Sequence, residues 1–182
     1  MDKRNTLDAV AAEVCEDIEL SADAQLMITD GQRTGELIDV LIENKLYFDA
    51  IRVLARSLPK PDAVRWGVDC VLQQLDSEPS EEERVCLDAA QRWADMESDE
   101  ERKRAAELSA QNGYGDPSAW LAAAAGWSGG SLSEEGLPSI APADHMTAHA
   151  VASAIGVVAS KDPETCERKQ LQLLKMGLSV VR

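Results

Sequence analysis

The chain has 182 residues, 45% hydrophobic and 28% charged, the proportions of a soluble globular protein and of neither a disordered nor a membranous one. A formal net charge of −15 disfavours nucleic acid and anionic lipid, whose fields repel it, and favours a basic or neutral protein partner. The longest apolar run, 119–126, is too short to cross a bilayer, and the opening MDKRNTLDAV has no apolar segment behind its charges. No signal peptide, no membrane insertion and a cytoplasmic location are therefore expected.

Helix signals recur along the chain and strand signals hardly appear. Residues 7–20 read as one amphipathic helix, with Leu7, Val10, Ala11, Val14 and Ile18 on a stripe and Glu13, Glu16 and Asp17 facing away. A short helix over 22–28 follows Ser21 and stops at Asp30-Gly31. Leu37, Val40 and Leu41, then Ile51, Leu54, Ala55 and Leu58, keep the i, i+3, i+4 spacing on either side of Asn44-Lys45, which predicts a helical hairpin with a tight turn. Pro59 and Pro61 end its second helix, and Pro61 opens another that carries Val64, Val68, Val71, Leu72 and Leu75 on one face. Asp76 to Pro79 is the boundary between two lobes, 1–76 and 80–182, of a single domain spanning 1–182, and it is too short for a free linker.

The second half is more clearly punctuated. Ser80 with Glu83 and Ser98 with Glu101 form S-x-x-E capping boxes, in which hydroxyl and carboxylate reciprocally satisfy orphan amides. Asp116-Pro117 and Asp162-Pro163 place an N-cap side chain before a proline whose missing N–H costs nothing there. Helices over 81–95, 99–111, 117–127 and 163–180 are predicted. The acidic runs 76–83 and 97–101 lie where the helix dipole favours them, so they read as solvated caps, with 102–104 returning positive charge. Residues 127–145, WSGGSLSEEGLPSIAPADH, have no periodicity over a length where about 4–6 residues usually suffice. The small apolar helix at 147–159, with Ala148, Val151, Ala152, Ala154, Ile155 and Val158, should be central, because small side chains let helix axes approach closely. The fold class is all-α: stacked antiparallel helical hairpins, or an irregular bundle, of about eight helices.

The residue chemistry points away from catalysis. Cys15, Cys70, Cys86 and Cys166 lie far apart without a C-x-x-C and read as buried reduced thiols. His145 and His149 share a helix face at i, i+4, but Met146 stands where a zinc-protease helix carries its glutamate, and no third ligand is near in sequence; no metal is assigned. A nucleophile at Ser128, Ser131 or a cysteine lacks the strand-to-helix elbow that would expose it, and the Glu134-Glu135 pair in a loop does not converge on one bond. Gly129-Gly130 has no Lys or Arg within its own loop, which argues against a nucleotide. No cofactor and no catalytic residue is assigned. Trp66, Trp93, Trp120 and Trp127 read as core or half-buried anchors, Trp120 and Trp127 on the same side of one helix. Trp127 stands beside the long loop, and tryptophan is enriched at interface hot spots. Trp127, Ser128, Gly129, Gly130, Leu132, Leu137 and Ile140 are therefore the candidate partner-binding residues.

The stretch LPKPDAVRW at 58–66, WLAAAAGWSGGSL at 120–132, Pro142, TAHAV at 147–151 and LKMG at 174–177 together resemble an uncharacterised, all-helical bacterial domain family often encoded near type VI secretion components. The likeness covers residues 35–180, and W-S-G-G-S-L is its most specific part, whereas Arg65-Trp66 stands where members often have two tryptophans. The resemblance carries no catalytic residue. It implies a cytoplasmic accessory of a contractile secretion machine: a non-enzymatic adaptor or chaperone that binds a secretion component or effector. An immunity protein neutralising a basic toxin is the alternative, and a small hydrolase using His149 is a further one.

Overall fold

The computed structural model describes residues 6–75, 78–133 and 136–181. The charged opening 1–5, the Asp76-Ser77 part of the lobe boundary and the Glu134-Glu135 pair lie outside them. Among the described residues the chain is all-α, without strands; an isolated antiparallel bridge joins Val10 to Arg33. A 3-10 turn at Thr6–Asp8 precedes α1 (Ala11–Val14) and α2 (Ala22–Gln25). Longer helices follow: α3 (Thr34–Glu43), α4 (Tyr47–Ser57), α5 (Lys60–Gln73), α6 (Glu81–Met96), α7 (Asp99–Gln111), α8 (Pro117–Gly126), α9 (Met146–Ala159) and α10 (Cys166–Val181).

Helices α8 and α9 form the centre. Five alanines and Leu121 are buried along α8, which packs against α5, α6, α7 and α9; α9, with Val151, Ile155 and five buried alanines among its inward side chains, packs against α4, α5, α8 and α10. The placement of 147–159 at the centre matches its small apolar composition. Buried side chains from both sides of 76–80 belong to one apolar cluster. Helix α10 is tied to α5 by the Trp66 indole N–H, which donates to the Leu173 carbonyl at 2.9 Å in a fully buried setting.

Residues 7–20 are not the single helix their periodicity predicts. The Ala9 carbonyl accepts from both the N–H and the hydroxyl of Thr34, each at 2.9 Å, and the Ala11 N–H donates to the Gln32 carbonyl at 2.9 Å. Backbone groups that a continuous helix would use are thus spent on the segment entering α3, and Val10 is extended (φ −70°, ψ 123°). Farther on, Asp49 of α4, buried, accepts from the Ser21 N–H and hydroxyl, both at 2.8 Å, while the Ser21 hydroxyl oxygen accepts from the Ala24 N–H at 3.2 Å. One buried carboxylate thereby fixes the start of α2 against the α3–α4 hairpin.

Three other expectations shift. The helix predicted from 163 begins at Cys166, because Asp162 accepts from the Glu164 N–H (3.1 Å) and the Thr165 hydroxyl (2.8 Å) and holds 162–165 as a turn. Ser80 and Glu83 form the complete capping box, but at Ser98 only the hydroxyl half exists. Glu101 is instead buried and accepts from Arg92 of α6 (Nη2 at 2.7 Å, Nε at 3.1 Å), so the run 97–104 is not a solvated cap throughout. Arg102 is buried as well.

The contact between α7 and α8 has no slack. A Cβ at Gly126 would fall 2.8 Å from the Ala106 Cβ and 2.9 Å from its Cα, with backbone that cannot rotate away. Alanine improves an isolated helix by about 1 kcal/mol relative to glycine, whereas overpacking a core costs about 1–3 kcal/mol. Gly126→Ala is therefore expected to lower the free energy of unfolding by up to about 2 kcal/mol, read by urea denaturation. A raised midpoint would show that the helices can separate without cost.

Candidate functional site

A cleft of about 340 Å³ opens where the turn after α1 meets α4, α8 and α9. Asp17, Ile18 and Glu19 line one side, Arg52 comes from α4, Trp120 and Trp127 from α8 and its end, and His145, Met146 and His149 from the start of α9. The heptad spacing of Trp120 and Trp127 brings their rings together, centroids 6.1 Å apart and planes at 79°. The His149 ring lies 6.4 Å from Trp120 at 71°, and Tyr114 stands behind both indoles at 5.9 and 5.8 Å. Edge-to-face rings of this kind interlock as rigid walls. His149 is exposed, while His145 is half-buried with its Nδ1 3.7 Å from Asp17.

Cations from α4 and α5 hold the rim. Arg56 donates to both oxygens of Asp17 (2.9 and 3.2 Å) and lies 3.0 Å from Asp144; Lys60 reaches Asp144 at 2.9 Å and donates to the Ser128 carbonyl at 3.1 Å. Both ends of the 127–145 loop are thus fastened to one lysine. Arg52 donates to the Glu19 carbonyl at 2.7 Å and lies 4.6 Å over the Phe48 ring.

The loop is bonded to itself. The Leu132 N–H donates to the Ile140 carbonyl at 2.8 Å; the Ser131 hydroxyl oxygen accepts from the N–H groups of Ser133 (3.0 Å) and Ile140 (3.2 Å); and the Ser133 hydroxyl donates to the Pro138 carbonyl at 2.7 Å. Its first turn rests on Arg102, whose guanidinium donates to Asp99 (2.6 and 2.9 Å) and to the Gly126 carbonyl (3.3 Å). The Gly130 backbone, at φ +72°, lies directly on that guanidinium, so a Cβ would strike it. Gly129 has neither a positive φ nor a close neighbour. Only the second glycine of the pair is required by the turn.

The predicted partner-binding residues do not share one cavity. Trp127 lines the aromatic cleft; Ser128, Gly129 and Gly130 line a second, polar cavity of about 490 Å³ with Lys60 and Arg102; and Leu137 lines an open groove of about 920 Å³ along α7. Leu132 and Ile140 lie in none of the three and are exposed. The loop contains no cation of its own, but folding supplies Lys60 and Arg102 to it, both engaged by carboxylates. Sequence reading missed Lys60, Arg52, Asp17 and Glu19 as site residues. The signal at Lys60 was its position between two prolines; the others resemble any surface charge.

No three His, Cys, Asp or Glu side chains are placed to share a metal ion among the described residues. Burial, then Asp17, pushes the Cys15 thiol up to about 11; burial, then Asp116, does the same to Cys86, to about 11; burial also raises Cys70. Such thiols stay protonated at neutral pH and react poorly. Cys166, expected to be buried, is half-buried with its Sγ 3.7 Å from the Ser160 hydroxyl, because it opens α10 at the molecular surface.

The hydrogen bond from Lys60, then its charge and that of Arg56, hold the Asp144 carboxyl below the usual carboxylate range. A depressed folded pKa contributes stability above the unfolded value, about 4, and that contribution is lost as pH falls through the folded value. Asp144 is largely exposed, so the contribution is small, under about 1 kcal/mol. Asp144→Asn is expected to lower stability by that amount at pH 7, with the difference shrinking progressively as pH falls below the unfolded value of about 4, measured by thermal melts across pH.

No helix among the described residues is long and apolar enough to cross a membrane. No curated protein and no solved structure matches the chain. Residues 37–181 match a sequence family described as a family of unknown function, DUF6931. That region takes in most of α3, all of α4 to α10, the whole loop and every cleft residue except Asp17, Ile18 and Glu19. With its central helices and its candidate site falling almost wholly within the match, the chain belongs to the DUF6931 family.

Proposed function

We propose that this protein is a non-enzymatic protein-binding accessory of a bacterial type VI secretion system, an adaptor or chaperone working in the cytoplasm. The observation that carries the binding reading is the loop. Leu132, Leu137 and Ile140 are 47, 62 and 61% exposed on a segment whose described residues are held by hydrogen bonds to one another and by Arg102. Apolar groups held outward on preorganised backbone lose little entropy when a partner covers them. The secretion setting rests on the resemblance carried by W-S-G-G-S-L and its companion motifs. The net charge of −15 suits a basic partner and equally supports the alternative, an immunity protein that covers a basic toxin. A hydrolase using His149 is less favoured: the side chains lining its cleft include carboxylates but no hydroxyl or thiol to serve as nucleophile.

Affinity capture from the native host is expected to recover a defined protein with the wild-type chain. Recovery should be lost with the double variant Leu132→Asp, Ile140→Asp, while the unfolding free energy changes by less than about 1 kcal/mol. Reduced secretion on gene deletion would identify the adaptor, and protection from a neighbouring toxin would identify the immunity protein. A wild-type chain that captures nothing, alters no secretion and neutralises no toxin would end both readings.

A further inference from the structure

We propose that the aromatic cleft is a receptor for one cationic side chain, the guanidinium of an arginine or the ammonium of a lysine, presented by the polypeptide partner. The proposal rests on the protein-binding reading above and names the anchor that reading lacks.

Three observations carry it. Trp120 meets Trp127 at 79° and His149 at 71°, so the rings form upright walls rather than a closed stack, and a cation set in such a corner meets π-surface. The tyrosine behind them keeps the indoles in place. Second, Asp17 and Glu19 line the same cleft as the rings. Asp17 is already bound by Arg56, but among the described residues the Glu19 carboxylate has no partner; only its backbone carbonyl is used, by Arg52. An anionic ligand would meet the uncompensated Glu19 carboxylate there, and a neutral apolar one would desolvate it without compensation. Third, the volume, about 340 Å³, is at the lower end of the range of ligand cavities, about 300–1,000 Å³. It suits one long side chain with its adjoining backbone and not a cofactor of nucleotide size.

Arg52 does not compete for the position. Its guanidinium is committed to the Glu19 carbonyl and to the Phe48 face, on the α4 side of the cleft. The overall charge of −15 would draw a basic segment toward the surface before the cleft selects one residue of it.

The test is titration of the ¹⁵N-labelled full chain with Nα-acetyl-arginine amide and Nα-acetyl-lysine amide, followed at the four indole N–H resonances. Saturable shifts are expected at Trp120 and Trp127 and not at Trp66, whose N–H is sealed against Leu173, nor at buried Trp93. Nα-acetyl-leucine amide and Nα-acetyl-glutamate amide should leave all four unmoved. Glu19→Gln, at an exposed position, is expected to weaken the cation about threefold, and Trp120→Leu about tenfold. No saturable shift with either cation, an equal response to the leucine compound, or unchanged affinity in Glu19→Gln would overturn the proposal. Because the probes are small molecules, this outcome is independent of partner capture: the cleft can fail while the loop still binds a protein, and the reverse.

Discussion

Close approach of small side chains along α8 is the constraint on which the rest of the molecule depends. With Ala119, Ala122, Ala123, Ala124 and Ala125 buried and Gly126 against the backbone of Ala106, helices α5, α6, α7 and α9 all reach a segment of ten residues. Larger residues would push at least one of the four away, and the continuous apolar cluster would divide. The low side-chain entropy lost by alanine on burial favours the same arrangement.

The end of that helix sets the geometry of both functional regions. Where α8 stops at Gly126, Arg102 caps its carbonyl and supports Gly130, so the loop leaves in one direction. Trp127, one residue on, is turned toward Trp120 and away from the loop. A single helix terminus therefore separates an exposed apolar loop from an aromatic cleft. Lys60 and Asp144 return the far end of the loop to α5, and Arg56 links the same network to Asp17 at the cleft. These ion pairs are half-exposed and individually weak. Their effect is positional: they fix the ends of a long connection that the apolar core does not reach.

Buried charge has a related role between helices. Asp49 positions Ser21, Glu101 joins α7 to α6 through Arg92, and Arg102 joins α7 to α8. Each is satisfied mainly by backbone groups or by an opposing side chain, as burial of ionic groups requires. Among the described residues only one oxygen of Glu101 is paired, and Oε2 has no hydrogen-bond partner. This acidic protein thus keeps a few of its charges as internal struts and leaves the greater part at the surface.

Helix type, most boundaries after 80 and the centrality of 147–159 were determined by local sequence, because caps, prolines and apolar periodicity act within a few residues of where they stand. Ser80 with Glu83, and Asp116 with Pro117, start helices at the positions they predict. Tertiary structure decided the rest wherever a distant group competed for the same atoms. Thr34 takes the Ala9 carbonyl and breaks the first helix, Arg92 draws Glu101 out of its capping box, and Arg102 is buried although its neighbours in sequence are charged. The cleft belongs to this second class: Trp120 and Trp127 were paired by helical spacing, but His149, Asp17 and Glu19 join them only through packing of α9 and the turn after α1 against α8 and α4. Spacing along one helix is written in the chain, whereas the meeting of separate helices depends on which buried surfaces fit.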